Sequence, residues 1–404
     1  MADFDRKWIP DNLDAIRLKF CCTDCFSGGT PSTENEKYYS ENEGINWIAS
    51  GKVHDCIIES PTALLTEFGY RSSSTKMVKA GSPVIAMTGA TCANAGILGI
   101  DACTNQSVFS YILNNRYDKY FVYYCLVAAR KTILTNQLGG AQAGINGDVC
   151  KNIYIPNYNL TEQKEIGSFL FKRISAIDKY IDCLQKEINA LQSFKIKRIR
   201  NEFNDSDPKI RVKFISSLTT GATPETNKPL YWDEEKNIIW VTPADFSGDE
   251  VYINDSERHI TEIGYRSCGT TFIAPNSIII STRAPIGKIV INSSKCCFNQ
   301  GCKALTMKSG SYFKYYYYWF YSHAEYLNSL GKGTTFLELS SEDLNNIIVP
   351  NPSFSKQKSI AEKLDKICSS IDALVSIKTK KIDLYHKYKY SLINEVITKK
   401  RGVC

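Results

Sequence analysis

Gly28-Gly29-Thr30-Pro31 and Gly221-Ala222-Thr223-Pro224 are one turn written twice, 193 positions apart. Beyond this pair the correspondence continues in the same order. Asn46-Trp47-Ile48 answers to Ile239-Trp240-Val241, Gly69-Tyr70-Arg71-Ser72 to Gly264-Tyr265-Arg266-Ser267, Cys103-Thr104-Asn105-Gln106 to Cys297-Phe298-Asn299-Gln300, and Ile155-Pro156-Asn157 to Val349-Pro350-Asn351. Five ordered motifs whose spacing drifts by a residue or two are a duplication, and a duplication decides the architecture before any local structure is assigned. Within each copy, β-rich runs such as Asn237 to Val241 and Ser277 to Ser281 are broken by Gly and Pro and mixed with helical stretches such as Tyr315 to Leu327. That pattern predicts a compact α/β domain of about 140 residues, twice.

After Pro156 and after Pro350 the period changes. Leu170, Ile174, Ile177, Ile181, Leu184, Ile188 and Leu191 alternate steps of four and three, an a/d seam that a lone helix cannot bury. In the second copy Leu364, Ile367, Ile371 and Leu374 continue the seam, Lys378 and Lys381 interrupt it, and Tyr385, Tyr388 and Leu392 resume it. Thr161 and Ser355 stand at matching places and are the expected N-caps. Because both helices follow their own domain, a pseudo-two-fold arrangement pairs them antiparallel, as a rod about 60 Å long with one domain at each end. The expected fold class is therefore mixed α/β: two duplicated globular domains, 1–158 and 207–352, with two long helices, 159–206 and 353–404, forming an antiparallel coiled coil. A helix packed only on its own domain is the competing arrangement.

The bulk numbers exclude several classes. With 43% hydrophobic and 23% charged residues the chain is composed like a soluble globular protein. No run approaches the roughly 18 consecutive apolar residues of a membrane span. Met1-Ala2-Asp3-Phe4-Asp5 is acidic where a signal peptide is basic and then apolar, so a cytoplasmic protein is expected. Fifteen cysteines, an odd number, read as buried thiols in a reducing compartment. Cys22 and Cys25 form a single C-x-x-C, and Cys296, Cys297 and Cys302 a loose cluster; neither supplies the four ligands of a zinc site, and no metal is expected. The formal charge of +7 is uneven: the helical segments carry +3 (Thr161 to Phe203) and +7 (Ser353 to Cys404), which leaves −3 for the globular parts. Nucleic-acid contacts by the domains must then come from local patches or be shared with partner subunits. Lys399-Lys400-Arg401 suits a solvated helix end that complements the macrodipole.

Catalytic motifs are missing. There is no G-x-x-x-x-G-K-[ST] phosphate loop, no nucleophile elbow, and none of the four histidines, His54, His259, His323 and His386, has metal-binding spacing. Asn351-Pro352-Ser353-Phe354 resembles the loop with which amino-group DNA methyltransferases hold a flipped base, but no glycine-rich cofactor loop accompanies it, and the matching site reads Asn157-Tyr158-Asn159-Leu160. A turn into the helix explains it.

Taken in order, the duplicated Gly-(Gly/Ala)-Thr-Pro turn, the Trp-Ile or Trp-Val that follows, the turn Ser281-Thr282-Arg283-Ala284-Pro285-Ile286-Gly287, the Val-Pro before Gln357, and Leu392 to Glu395 resemble the DNA-specificity subunit of type I restriction-modification systems. The resemblance covers nearly the whole chain. It implies two target recognition domains, each reading one half of a split, asymmetric sequence in double-stranded DNA, and paired helices that fix the gap. It further implies a non-catalytic chain that docks two modification (methyltransferase) subunits, in some systems with ATP-dependent restriction subunits. S-adenosylmethionine and ATP then belong to those partners and no cofactor to this chain. The competing readings are a coiled-coil scaffold without DNA binding and a self-contained DNA-modifying enzyme.

Base edges are read by Arg, Lys, Asn and Gln reaching from loops. Arg71 and Arg266 are equivalent, as are Thr88 and Thr282, and residues shared by halves that read different sequences are structural or hold phosphate. The candidates that differ are Lys52 and Gln142 in the first half and Arg283, Lys288 and Lys332 in the second. Thr88-Gly89-Ala90-Thr91 offers no arginine where the second half has Arg283. The Gly-Thr-Pro loops are expected to be tight turns, and the run Tyr315 to Trp319, matched by Tyr123 and Tyr124, an aromatic core rather than a base-stacking surface.

Overall fold

The computed structural model describes residues 6–137, 144–235, 237–246, 250–283, 285–333 and 337–402. The chain divides into two compact units, Met1–Cys183 with Lys381–Cys404, and Leu184–Lys380. Each long helix, Leu160–Arg200 and Phe354–Ile397, therefore contributes to both units.

In the first unit a five-stranded sheet runs in the order Cys22–Ser27, Val108–Leu113, Pro83–Ala86, Ala95–Leu98, Cys56–Ile58. A second sheet of five short strands is built around Ile45–Ile48 and its parallel neighbour Ala102–Thr104. The helix Lys119–Leu134 covers the first sheet and buries Phe121, Tyr123, Tyr124 and Leu126. The second unit repeats the plan. Ser216–Thr220, Cys302–Met307, Ile278–Ser281, Ile289–Asn292 and Tyr252–Ile253 form one sheet, and Ile238–Val241 pairs in parallel with Cys297–Phe298 in the other. The strand expectations hold to within a residue. The stretch Tyr315 to Leu327 is two helices, Phe313–Ser322 and Ala324–Ser329, separated at His323, whose imidazole Nδ1 lies 2.7 Å from the Trp319 carbonyl. Tyr315, Tyr316, Tyr317, Tyr318 and Trp319 are all buried, so the aromatic run is core, as expected.

The helices pair antiparallel within each unit. In the first, Glu162 meets Lys399 (2.7 Å), Asp178 meets Lys389 (2.6 Å) and the Tyr180 hydroxyl accepts from Lys381 (2.6 Å), so numbers rise on one helix as they fall on the other. In the second, Glu187 meets Lys378, Lys195 meets Asp372 (2.6 Å) and Glu202 meets Lys363 (2.7 Å). Leu170, Ile174, Ile177, Leu184 and Ile188 are buried, while Ile181 and Leu191 are half-buried. The second seam is corrected in register. Leu364 and Ile371 are buried, but Leu374 is 48% exposed and Ile367 only half-buried, because Cys368 and Val375 hold the inward positions. Both registers alternate threes and fours. The one observed lets Lys378 reach Glu187 and leads on to half-buried Tyr385 and buried Leu392.

The caps are also corrected. Thr161 lies inside the first helix, and Asn159 caps it: its Oδ1 accepts from the Glu162 amide and its Nδ2 donates to the Glu162 carboxylate, both at 3.0 Å. Ser355 likewise lies inside a helix that starts at Phe354.

Gln163 and Gln357, equivalent and fully buried, lock each helix to its domain. Gln163 Nε2 donates to Tyr158 O (2.7 Å) and its Oε1 accepts from the Asp118 amide (2.9 Å), while Gln357 makes the same contacts with Pro352 O (2.8 Å) and the Tyr312 amide (2.8 Å). Replacing either by leucine strands a buried carbonyl and a buried amide, and the cost should be about 1–3 kcal/mol in that unit. Urea unfolding of Gln163→Leu and Gln357→Leu measures it, and a loss under about 0.5 kcal/mol in both would refute the locking role.

Candidate nucleic-acid interface

The motifs shared by the two halves converge on one piece of scaffold in each. In the first, Trp47 Nε1 donates to Gly29 O (3.0 Å), the Thr30 hydroxyl bonds the Gln106 side chain, and Cys103 pairs with Trp47 across parallel strands. In the second, Trp240 Nε1 donates to Ala222 O (3.0 Å), Thr223 bonds Gln300, and Trp240 pairs with Cys297. Gly28 and Gly221 permit the close approach: a Cβ there would fall 1.8 Å from Thr104 O and 2.2 Å from Asn299 O. The shared residues are thus committed to holding the turn against the sheet.

Arg71 and Arg266 are exposed at equivalent helix ends, each turned back on a glutamate one turn earlier, Glu67 at 2.8 Å and Glu262 at 3.0 Å. Thr282 is fully buried, with its hydroxyl on Gly301 O (3.3 Å), and in this conformation offers nothing to a surface ligand. Thr88 is half-buried and bridges to Gly144. Lys52 is exposed, bonded to the Ser60 hydroxyl at 3.2 Å, and Lys288 is exposed with its amide on Ser281 Oγ (2.9 Å). Gln142 lies outside the described residues, as does Ala284 of the turn that carries Arg283.

Arg283 and Lys332 are brought together. They line one groove with Thr220, Gln300, Lys303 and Glu338. Arg283 Nε donates to Glu338 Oε2 (3.1 Å), and Lys303 Nζ stands 3.5 Å from the other oxygen of the same carboxylate. Lys332 pairs with Asp343 at 3.0 Å; hydrogen bonds from Ser340 and Lys332 hold that carboxyl below its ordinary range. Lys303 is buried, and burial pulls its ammonium below the usual lysine value. Sequence reasoning passed over Lys303 and Glu338; the signal for the first was a lone cation in the apolar strand Cys302–Met307.

The first unit has a groove at the equivalent place, and its lining differs. Phe109 stands where the second unit has Lys303, Asn146 where it has Ser340, and Cys25, Phe26 and Lys151 complete it. The loop bridge behind it follows the same logic: Thr88 to Gly144 in one unit, Arg283 to Glu338 in the other. Two grooves on one scaffold therefore differ in lining, one with three cations around a central carboxylate, the other with two phenylalanines, Asn146 and the single charges of Asp148 and Lys151.

Thiol chemistry finds no support at the C-x-x-C or at the buried cysteines Cys103 and Cys296. Burial pushes the Cys103 thiol up to about 11 and that of Cys296 up to about 12, and Cys22 of the C-x-x-C rises further, so all stay protonated at neutral pH. Among the described residues no group of three His, Cys, Asp or Glu is placed to hold a metal, and no helix is long and apolar enough to cross a membrane.

A second duplicated motif escaped the sequence reading. Ile16-Arg17-Leu18-Lys19-Phe20 recurs as Ile210-Arg211-Val212-Lys213-Phe214, 194 positions on. It was detectable by extending the repeat alignment toward the N-terminal side of Gly28.

Known proteins agree with this architecture. The chain is 33% identical over 185 residues to the MjaIX specificity subunit of Methanocaldococcus jannaschii, covering 45% of this chain and 41% of that protein. It is 26% identical over 272 residues to the putative MjaX specificity subunit of the same organism (64% and 62% covered) and 29% identical over 177 residues to the EcoR124I/EcoR124II specificity subunit of Escherichia coli (42% and 43%). The chain thus matches about two fifths to three fifths of the length of these curated relatives. Among solved structures, a chain from a study of complex assembly and conformational transition of the type I R-M system superimposes with a TM-score of 0.75 at 17% identity, over 98% of this chain and 99% of that one. The HsdS subunit of Thermoanaerobacter tengcongensis does so with a TM-score of 0.50 at 15% identity, over 96% and 97%. At these identities the likeness is one of fold. The family described as the type I restriction modification DNA specificity domain matches residues 19–193 and again 209–384. With both halves matched, the chain belongs to the type I restriction-modification DNA specificity family.

Proposed function

We propose that this chain is the non-catalytic subunit that recognises a bipartite, asymmetric target in double-stranded DNA and directs two methyltransferase subunits to it in the cytoplasm. The observation that carries the reading is the pair of equivalent grooves with unlike linings on a duplicated scaffold. Each groove reads one half of the target. In the second, Arg283 leaves Glu338 to face a guanine, whose N7 and O6 accept the two parallel donors of a guanidinium. Methylation and cleavage lie with the partner subunits, which carry the S-adenosylmethionine and ATP; restriction subunits join where the system has them. The net-acidic globular parts fit this division, because phosphate contacts can be supplied by the methyltransferases.

The paired helices set the gap between the half-sites. Co-expression with the methyltransferase subunit, followed by mapping of methylated adenines, should yield a split motif. Inserting four residues after Ile181 should change the unspecified spacer and leave both half-sites intact. A continuous motif in the parent, or an unchanged spacer in a folded insertion variant that still methylates, contradicts the reading.

A further inference from the structure

Most of the shared motif residues hold the scaffold, but one shared aromatic is turned outward in both units. Phe20 is 56% exposed and its equivalent Phe214 is 60% exposed. Each closes the duplicated run Ile-Arg-(Leu/Val)-Lys-Phe, and each is held firmly. Ile16 pairs with Ile155 and Ile210 with Val349, on the strands that lead into the long helices. The Leu18 amide donates to Ile153 O (2.9 Å) and the Val212 amide to Ile347 O (3.0 Å), while both side chains are fully buried. The adjacent lysine lies over each ring, Lys19 at 5.2 Å and Lys213 at 5.3 Å from the centroid. The first residue of each long helix is also large and apolar, Leu160 and Phe354, and in the first unit Phe20 and Leu160 line one depression.

We infer that these two aromatic patches are docking sites for two copies of one partner protein, the methyltransferase subunit, through an apolar socket with an acidic rim. The partner's identity rests on the function proposed above; the surface rests on the following chemistry. A groove that reads different DNA in each unit has reason to differ, whereas a surface that meets the same protein twice has reason to be the same. An exposed phenyl ring at a fixed backbone position gains by entering an apolar pocket and contributes nothing to a phosphate. The lysine over each ring, Lys19 in one unit and Lys213 in the other, favours carboxylates on the opposing rim. Duplex DNA would use these cations and leave both rings in water.

The test is native mass spectrometry of the full chain co-expressed with its methyltransferase subunit. The parent chain should carry two partner copies, Phe20→Ser and Phe214→Ser one each, and the double variant none, with melting temperatures close to the parent's. Lys19→Glu with Lys213→Glu should weaken uptake at least tenfold without removing either ring. A double serine variant that still loads two copies overturns the inference, as does one that loads two copies but loses DNA affinity, which would assign the surface to DNA. A parent chain that takes up no methyltransferase subunit instead overturns the functional reading itself, and this inference with it.

Discussion

Asp372→Ala should cost about 3–5 kcal/mol, the usual penalty for removing one member of a buried ion pair. Lys195 occupies a seam position of the first long helix with its side chain only 7% exposed, and both oxygens of Asp372 accept from its Nζ at 2.6 and 2.9 Å. Burial alone pulls the ammonium down. The hydrogen bonds to Asp372, helped by Tyr321, outweigh it, so the folded value stands above the unfolded one. A raised lysine contributes stability that is fully present below its unfolded value, near 10.4, and is lost as pH rises through the folded value. In Asp372→Ala the hydrogen bonds that offset burial are gone, so burial should dominate over the weaker influence of Tyr321, the folded value should fall below the unfolded one, and stability is instead gained as pH climbs toward about 10. The variant's penalty in urea unfolding should therefore shrink between neutral and alkaline pH. A penalty equal at both, or under about 1 kcal/mol at pH 7, would mean that the pair is not buried as described.

The second large effect is expected at the turn that opens each domain. Gly28→Ala places a Cβ 1.8 Å from Thr104 O, and Gly221→Ala one 2.2 Å from Phe298 O, both backbone atoms of a paired strand that cannot rotate away. Relief requires lifting the turn from the sheet, which breaks the bond from the Gly29 amide to Thr104 O (2.9 Å) and the Trp47 indole bond to Gly29 O. The cost should be about 3 kcal/mol or more, the range of severe overpacking. Gly51→Ala, with open space around its Cβ, is the control and should be nearly neutral. Hydrogen exchange should show the loss confined to the substituted unit. Equal stability of Gly28→Ala and Gly51→Ala would be incompatible with the close approach.

Much of this was legible in the sequence because duplication tests itself: a glycine that recurs against a recurring Asn-Gln motif signals a contact, and the contact is there. The first heptad was equally plain, since Leu170 to Leu191 admits one register. The second was not. Leu364-Ile367-Ile371-Leu374 and Leu364-Cys368-Ile371-Val375 satisfy the same alternation, and the choice falls to packing against the other helix, a long-range fact. Asn159 was missed as a cap because Thr161 suits the role by residue type, although the helix begins a residue earlier. The grooves were half visible. Arg283 and Lys332 stood out as differences between copies, while Lys303 and Glu338 acquire meaning only when strand and loop meet.

The division of the long helices between units has a consequence for the order of events on the ribosome. The core of the first unit includes Leu392, Ile393, Val396 and Ile397, which pack with Leu170 and Phe121. Those side chains are synthesised after everything else in that core, whereas the second unit is one uninterrupted stretch, Leu184–Lys380. Domains commonly mature in the order they are made. Here the half translated first must wait, its helix seam open, until the half translated second has already emerged.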